Sequence, residues 1–568
     1  MTRLPSIQSV SENSRGLLMT LAYAALAAGS AIAFLWLTNL VFHVGIEKLS
    51  TLSLPTFVLG SLAVVTSTSL VAGILMVRAA PDAAGSGVPQ LKASYWKDLG
   101  FVGLRGVLVK FFAGILTLGG GTSLGREGPS VFVGGGGASA LSAAFGVAKT
   151  ARRRPAATGA AAALAAAFNT PLASITFVME EMLNNEFGSR VLGAVVLAAV
   201  TGALLVHAVL GPQPAFSMAS VDTVTWRMYV ILPIVAAAAS LIGVAFHSLT
   251  LRMRRRVRER SRLPRWLQPA VGGVATWALA VGAFLLTRHI GVFGLGYGDL
   301  SLALNDGLAW QAAGVLVAAK FAATVLSYSW GGCGGIFSPT LFLGGLTGFF
   351  LAGAAGTFFP LTGADRIVLA AVGMSACFNA VVRAPLTALL IVFEMTHQFA
   401  MVPALMVCTI VSQAIARIGG KHNFYDALLV QDGHELIRIK PPRDLGAWHQ
   451  LPVSEIARTS PVILHDLQAG TIREALARHP YSRFPVMRAG SIVGVMTRRD
   501  AEEAQREGRP PRLERAVFCS PETTVHQVAE LLMDSPSGIV LVTGHGGAEI
   551  SALVTLHDLL RAQAAVLE

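Results

Sequence analysis

One acidic and one basic side chain stand in a stretch that otherwise holds only glycine and small or apolar residues. The stretch covers residues 119–137, and the two side chains belong to Arg126 and Glu127. Pro129 suits the first turn of a helix, so we predict a helix from Pro129 with the carboxylate just before it. Such a helix N-terminus attracts anions. The alternative is a re-entrant turn in which Glu127 pairs with Arg126.

Two further places carry polar groups among apolar ones. The turn at residues 85–89 offers backbone amides and the Ser86 hydroxyl, which suit an anion, although most Gly-Ser-Gly runs are plain turns. Glu180 and Glu181 end an apolar helix. A carboxylate pair at a helix end near a basic loop is either functional or merely interfacial.

The sequence does not indicate an enzyme or a metalloprotein. It shows no nucleophile and base at suitable spacing, no metal-ligand spacing and no phosphate loop directly after a strand. Its four cysteines are scattered and predict neither a zinc site nor a disulfide framework.

The stretch around Glu127 returns later in the chain. Residues 110–135 and 320–345 are identical at 10 of 26 positions, including the Lys110/Lys320 pair. A second block, residues 170–180, matches residues 384–394 and aligns Glu180 with Glu394. Duplicated membrane units with Gly/Pro-interrupted apolar segments are typical of transporters, whose binding site lies where the broken helix ends meet.

The composition indicates a polytopic membrane protein. Of the 568 residues, 53% are hydrophobic and 13% are charged, whereas soluble domains have about 25% charged residues. The net charge of +12 comes largely from loops between apolar spans, around residues 149–154 and 252–265. The positive-inside rule places both loops in the cytoplasm and explains the charge without nucleic acid.

The apolar segments must position these side chains. We predict a transmembrane domain over residues 1–430, with repeat halves at roughly 16–210 and 228–430. A segment of about 20 apolar residues can span the bilayer. Predicted apolar helices cover residues 16–45, 53–77, 103–118, 156–168, 191–210, 228–249, 270–286, 308–327, 367–379, 385–395 and 402–417.

The chain changes character after the last span. Residues 431–450 read as a linker, and residues 451–568 contain frequent charges and short apolar runs. Residues 494–500 match residues 552–558, and each block follows a strand-like run and precedes a helix. We predict two β-α-β-β-α units, residues 451–503 and 513–568, that pack together.

Three stretches in this order resemble the signature motifs of the CLC chloride channel and transporter family. They are residues 85–89 (GSGVP), 125–129 (GREGP) and 335–339 (GIFSP). The resemblance covers residues 15–430, and the C-terminal pair resembles a tandem of cystathionine-β-synthase (CBS) domains. It implies an all-α membrane domain of two inverted-topology repeats with broken and re-entrant helices, plus a cytoplasmic α+β CBS pair. It also implies a homodimer through the membrane domain and the CBS pair.

The resemblance assigns roles to particular residues. Ser86 and Tyr425 would offer hydroxyls to a dehydrated chloride, and Ile336 and Phe337 would offer backbone amides. Such donors bind an anion without a full positive charge, so that it can leave. Glu127 would be the gate: an ionised carboxylate occupies an anion site, and a protonated one swings away. Coupling requires that its pKa can cross the working pH.

A second carboxylate favours an exchanger over a channel. The resemblance places Glu181 at the proton-transfer position of family exchangers, whereas Glu180 is expected to be structural. We therefore predict exchange of chloride for protons. The alternatives are a passive voltage- or pH-gated chloride channel and a membrane-anchored nucleotide sensor. Ser86 favours chloride over nitrate, and fluoride is not expected.

Two departures from the family pattern stand out. Gln90 and Lys92 follow the first motif where relatives often have acids. Phe424 precedes Tyr425 in a segment one residue longer than in some bacterial relatives. Phe424 could therefore displace Tyr425, and a tyrosine after a last span usually anchors the chain at the membrane interface.

The CBS pair has two interpretations, adenine-nucleotide binding or dimerisation alone. For nucleotide binding, the resemblance places Thr497, Asp500, Thr555 and Asp558 at ribose and phosphate positions. The segment 544–547 is expected to be a hairpin loop, because no helix follows it directly. We expect no other cofactor. The expected location is the bacterial inner membrane, with the CBS pair and both termini in the cytoplasm.

Overall fold

A computed structural model describes residues 12–183, 189–211, 216–221, 223–226, 228–434, 449, 451–459, 461–544 and 550–565. The chain divides into two compact units, Met1–Lys440 and Pro441–Glu568. Most of the predicted linker at 431–450 lies outside the described residues. The predicted fold class, a helical membrane unit followed by a smaller α+β unit, is confirmed.

Helices form the first unit, and nine described helical segments are long and apolar enough to cross a membrane. In the first half the helices are α1 (Glu12–Phe42), α2 (Lys48–Ser50), α3 (Leu54–Ala79), α4 (Val88–Lys97), α5 (Leu104–Gly119), α6 (Glu127–Ala144), α7 (Arg153–Phe168), α8 (Pro171–Phe177) and α9 (Ser189–Leu210). A single π-helical turn, Val178–Met182, extends α8.

The second half repeats this pattern. Its helices are α10 (Met228–Arg260), α11 (Gln268–Thr287), α12 (Tyr297–Leu304), α13 (Trp310–Ser329), α14 (Phe337–Gly356), α15 (Gly363–Val382), α16 (Pro385–Thr396), α17 (Val402–Ala416) and α18 (Phe424–Gln431). α14 and α15 are the most deeply buried of the spans, so the core of this unit runs along them.

The same local chemistry breaks the helix at equivalent places in the two halves. Asn169 and Arg383 adopt left-handed conformations with φ of 59° and 58°, and they end α7 and α15. The next helix begins at a proline two residues later, Pro171 or Pro385. Proline suits the first helical turn and disfavours a helical residue before it. The residues at each break are therefore enough to explain why the helix ends there and a new helix begins.

Two predicted helix boundaries were wrong. The arginine run begins as a helix and not as a loop, because α10 continues through Arg260. Arginine is a good helix former, and Arg255 pairs with Glu259 one turn later. α6 begins at Glu127 itself, two residues before Pro129, which still lies in the first turn.

The two halves contact each other reciprocally at the glycines of the second and third motifs. The Gly125 amide donates to the Gly335 carbonyl at 2.7 Å, and the Gly335 amide donates to the Gly125 carbonyl at 2.6 Å. Such an exchange of equivalent contacts is what a two-fold axis produces. The antiparallel pairing of these two residues agrees with inverted repeats.

The described residues of the second unit form two small sheets and four α-helices. Its strands are β1 (Arg458–Thr459), β2 (Arg483–Arg488), β3 (Ser491–Thr497), β4 (Leu513–Glu514), β5 (Phe518–Cys519), β6 (Ile539–Thr543) and β7 (Ile550–Thr555). Its helices are α19 (Ala469–Arg478), α20 (Arg498–Glu507), α21 (Val525–Asp534) and α22 (Leu556–Ala565). The sheet orders are β1-β7-β6-β5 and β2-β3-β4. β1, from the first β-α-β-β-α unit, thus pairs with β7 of the second. This pairing joins the two β-α-β-β-α units to each other.

Candidate functional site

The residues predicted to bind an anion are all buried at the beginnings of helices. Ser86 precedes α4, Glu127 opens α6, Ile336 and Phe337 open α14, and Tyr425 lies in the first turn of α18. Each is at most 1% exposed. The first N–H groups of a helix have no partner inside it. The arrangement therefore directs amides and hydroxyls toward a buried polar centre.

The Glu127 carboxylate occupies the N-terminus of α14. Its Oε1 accepts from the Ser338 amide at 3.1 Å, from the Tyr297 hydroxyl at 3.4 Å and from the Ser338 hydroxyl. Its Oε2 is buried without a hydrogen-bond partner among the described residues. A carboxylate held this way takes the place that a free anion would take at a helix N-terminus.

Glycine makes this position possible. A Cβ atom on Gly125 would collide with Glu127 Oε2, and one on Gly128 would collide with the Ser86 carbonyl. The GREGP motif thus brings the gate carboxylate and the Ser86 turn close together by omitting side chains.

Arg126 does not pair with its neighbour Glu127, so the alternative of a paired turn is not seen in this part of the chain. Its guanidinium donates to the Ala167 carbonyl at 2.6 Å. It also lies over the rings of Phe168 and Tyr297, 5.5 and 5.2 Å from their centroids. These contacts engage the cation and leave the Glu127 carboxylate available, although Arg126 Nε has no hydrogen-bond partner among the described residues.

The side chains of Ser86 and Tyr425 are neighbours. No well-formed hydrogen bond engages the buried Ser86 hydroxyl within the described residues. Aromatic rings enclose this place: Phe177 lies 5.9 Å from Phe337 and 6.5 Å from Tyr425, centroid to centroid. Two neighbouring buried hydroxyls can donate to an anion.

Phe424 does not displace Tyr425. Its ring stacks on Phe246 at 6.4 Å and meets Tyr328 at 5.4 Å. Tyr425 is 1% exposed and so is not an interfacial anchor. The Asn423 side chain caps α18 by accepting from the Asp426 amide at 2.8 Å, which fixes where the helix starts.

Glu181 lies in a buried ion triad. Lys92 Nζ donates to Glu181 Oε1 at 2.6 Å and to Asp426 Oδ1 at 2.9 Å, and all three side chains are 2% exposed. Asn423 Nδ2 donates to Glu181 Oε2 at 2.7 Å. Lys92 comes from α4, Glu181 from the π turn after α8, and Asp426 from α18.

The neighbouring Glu180 points elsewhere. Its carboxylate accepts from the Leu386 and Thr387 amides, at 3.0 and 2.9 Å, at the start of α16. Glu394, its repeat partner, accepts from the Leu172 and Ala173 amides at the start of α8. Each glutamate therefore caps a helix of the other half.

In the C-terminal unit, the two predicted ribose aspartates already hold protein donors. Asp558 accepts from Arg458 Nε at 2.8 Å and from the Thr555 hydroxyl at 2.7 Å. Asp500 accepts from Arg509 at 3.0 Å, and this hydrogen bond lowers the pKa of Asp500.

The Thr497 hydroxyl accepts from the Asp500 amide and caps α20. As they stand, the two aspartates do not fit a ribose diol, which would have to displace an arginine. Residues 545–547 of the predicted hairpin loop lie outside the described residues.

Four residues of the site escaped sequence analysis: Tyr297, Ser338, Asn423 and Asp426. Ser338 and Tyr297 hold Glu127, and Asn423 and Asp426 surround Glu181 and Lys92. The sequence indicated these four residues only weakly, because hydroxyl and acidic side chains commonly occur near such motifs. The usable clue was Lys92, a cation in a segment whose burial demands an acidic partner.

Comparison with known proteins gives a consistent result. The family model described as voltage gated chloride channel matches residues 68–417, and the CBS domain model matches residues 453–507 and 513–565. A protein of Yersinia pestis named H⁺/Cl⁻ exchange transporter ClcA is 32% identical over 363 residues, which cover 63% of this chain and 74% of that protein. The protein of the same name from Vibrio cholerae serotype O1 is 32% identical over 367 residues, covering 62% and 76%.

Solved structures share the fold. The crystal structure of a slow cyanobacterial Cl⁻/H⁺ antiporter superposes with a TM-score of 0.67 at 25% identity, covering 74% of this chain and 98% of that one. A eukaryotic CLC transporter superposes with a TM-score of 0.60 at 18% identity and covers 95% of this chain and 98% of that one. The second likeness concerns the fold alone.

Proposed function

This chain belongs to the voltage gated chloride channel family, as the three motifs predicted, and we propose that it moves chloride across a membrane in exchange for protons. One observation carries the proposal: the Glu127 carboxylate accepts hydrogen bonds at the N-terminus of α14. It therefore occupies a position at this helix N-terminus that an anion could take. Relatives named as H⁺/Cl⁻ exchange transporters support the same activity.

The anion would be held by neutral donors. We assign the hydroxyls of Ser86 and Tyr425 and the backbone amides of Ile336 and Phe337 to a dehydrated chloride. Helix N-termini and hydroxyls bind an anion while allowing it to leave. When Glu127 takes up a proton, it loses its attraction for the α14 donors. The vacated position then accepts chloride, so one side chain links the two movements.

The proton would reach Glu127 from Glu181. Glu181 is buried, ionisable and hydrogen-bonded, which is how functional acids in membranes are typically placed. Chloride and protons are the proposed substrates.

We further propose the bacterial inner membrane as the location, with the CBS pair and both termini in the cytoplasm. We propose a homodimer formed through the membrane domain and the CBS pair, and a regulatory role for the CBS pair. The long Arg-rich end of α10 supports the cytoplasmic assignment of its side of the membrane.

The test is proton movement in proteoliposomes that contain the full chain and a chloride gradient as the sole driving force. We expect uphill proton movement. Glu127→Gln should keep chloride flux and lose proton flux, because a neutral side chain cannot exchange a proton. Glu47→Gln, which changes an exposed glutamate paired with His43, is the matched control and should behave as wild type.

Chloride flux without proton flux in the wild-type protein would instead establish a passive channel on the same scaffold. Absence of both fluxes would contradict transport and favour a membrane-anchored sensor.

A further inference from the structure

A third hydroxyl lies at the Ser86 turn, and the anion site described above does not use it. It belongs to Tyr328, a residue in the last turn of α13 that is 3% exposed. A Cβ atom on Gly85 would lie 3.3 Å from the Tyr328 hydroxyl oxygen. The same oxygen lies beside the Ser86 backbone, and Tyr328 is also a neighbour of Tyr425. Three hydroxyls are therefore close together in one buried place.

Contacts between the two halves hold Tyr328 in this position. The Gly85 amide donates to the Gly332 carbonyl at 3.1 Å, and the Gly334 amide donates to the Gly85 carbonyl at 3.2 Å. These hydrogen bonds join the first motif to the loop that directly follows α13. The ring of Tyr328 meets the ring of Phe424 edge-on at 5.4 Å. Both the backbone and the ring therefore keep the hydroxyl beside the Ser86 turn.

The Tyr328 hydroxyl also lies in the electrostatic field of a partly exposed group of charges. Arg254 and Asp432 both act on it, and they form an ion pair at 2.8 Å in which each side chain is partly exposed. Arg258 is a second cation on the same carboxylate. When these three side chains, the Arg254 group, are all ionised, their net charge is +1. A positive group that water can reach attracts anions from solution.

A phenol suits an anion that passes from the Arg254 group to the buried hydroxyls. Its oxygen can accept from the Ser86 amide while its own proton is donated to the ion. Because the hydroxyl is neutral, it holds the ion without a full opposite charge, and the ion can move on. A phenylalanine would fill the same space but would leave a dehydrated ion with one donor fewer.

We propose that Tyr328 binds the anion directly, and that its hydroxyl donates to chloride as the ion moves between the Arg254 group and the Ser86 turn. No covalent bond forms or breaks in this step. The inference rests on the proposed exchange of chloride for protons. It adds to that proposal a further donor and the side from which chloride reaches the Ser86 turn.

The test measures chloride binding to the full chain in detergent by isothermal titration calorimetry with sodium chloride. Tyr328→Phe should weaken chloride binding about tenfold, because one hydrogen bond to a charged group is lost. A form in which 4-aminophenylalanine replaces Tyr328 keeps an N–H donor at the same place and should bind chloride nearly as wild type does. Tyr23→Phe is the matched control, since its buried hydroxyl has no hydrogen-bond partner among the described residues.

A second anion separates a lost donor from a general distortion of the site. Thiocyanate is more weakly hydrated than chloride and depends less on hydrogen bonds. Tyr328→Phe should therefore weaken thiocyanate binding less than chloride binding. Equal losses for the two anions would overturn the proposal, because a distorted site predicts them.

Two further results would also overturn it: unchanged chloride binding in Tyr328→Phe, or an equal loss in the 4-aminophenylalanine form. Each of these three outcomes would refute the role of Tyr328 alone. A wild-type protein that binds no chloride would instead refute the proposed function together with this inference.

Discussion

At the scale of single residues, two hydroxyls decide how firmly the gate carboxylate is held. Tyr297 and Ser338 contact each other and share Glu127 Oε1 as an acceptor. The Tyr297 ring is itself held in place, because Phe216 packs edge-on at 4.7 Å and the Arg126 guanidinium lies over the ring, 5.2 Å from its centroid. The hydroxyl is therefore held beside Glu127, and it stabilises the position in which the carboxylate fills the anion site.

Replacing Tyr297 by phenylalanine should loosen the gate. One hydrogen bond to a charged acceptor is lost, and at 3.4 Å we expect it to contribute about 0.5–1 kcal/mol, or about two- to fivefold in chloride turnover. Chloride flux in proteoliposomes measures the change. Tyr23→Phe is the matched control, since its buried hydroxyl has no hydrogen-bond partner among the described residues. In a Glu127→Ala background the Tyr297 change should have no effect; an equal acceleration there would contradict the role.

Single residues also show where sequence analysis reaches its limit. Glu127 and Glu181 could be selected because an acid inside an apolar segment is costly and so indicates function. Asp426 could not, because it follows the last span, where an acid is usually solvated. Only the packing of α4 against α18 places it 2.9 Å from Lys92. Long-range pairs of this kind depend on tertiary contacts that the local pattern does not encode.

At the scale of elements, the short helices α8 and α16 depend on acids from the opposite half. Each begins at a proline and lacks a side-chain cap of its own. The Glu180 and Glu394 carboxylates supply the missing acceptors by binding the first free amides. A carboxylate at a helix N-terminus also interacts favourably with the helix dipole. These two contacts hold the halves together next to the π turn that carries Glu181.

Glu394→Gln should therefore destabilise the membrane unit. An amide retains one acceptor oxygen but loses the charge and the two-oxygen contact with the Leu172 and Ala173 amides, which we expect to cost about 1–2 kcal/mol. The midpoint of thermal aggregation in detergent, followed by size-exclusion chromatography, should fall. The exposed Glu47→Gln variant should match wild type. An unchanged midpoint for Glu394→Gln would show that the contact is not stabilising.

Helix positions were mostly predictable because apolar runs and proline-marked breaks are local signals. The end of α10 was not. The charged run at residues 252–260 suggested a loop, yet α10 continues through it to Arg260, four residues before Pro264. Charge marks the membrane boundary, and backbone chemistry marks the helix end. The membrane boundary and the helix end coincide when a glycine or proline directly follows the span.

At the scale of the whole molecule, the candidate pathway is built from both halves of the chain. The two halves supply complementary parts: Glu127 and Ser86 come from the first, and Ser338 and Tyr425 from the second. The reciprocal pairing of Gly125 and Gly335 joins these parts inside one subunit. In the proposed homodimer, each subunit would therefore carry a pathway built from its own two halves.

This arrangement predicts that subunits work independently. Dimers with one wild-type and one Glu127→Gln subunit, isolated by tandem purification of two affinity tags, should show about half the proton flux of wild-type dimers. Wild-type dimers carrying the same two tags provide the reference, and Glu47→Gln/wild-type dimers should retain full flux. Because the two proposed coupling acids, Glu127 and Glu181, belong to the same subunit, the inactive subunit should not affect its neighbour. Loss of nearly all proton flux in the mixed dimer would contradict this prediction, because it would require a step that both subunits perform together. Linking the two subunits in one polypeptide would exclude subunit exchange as the cause of that loss.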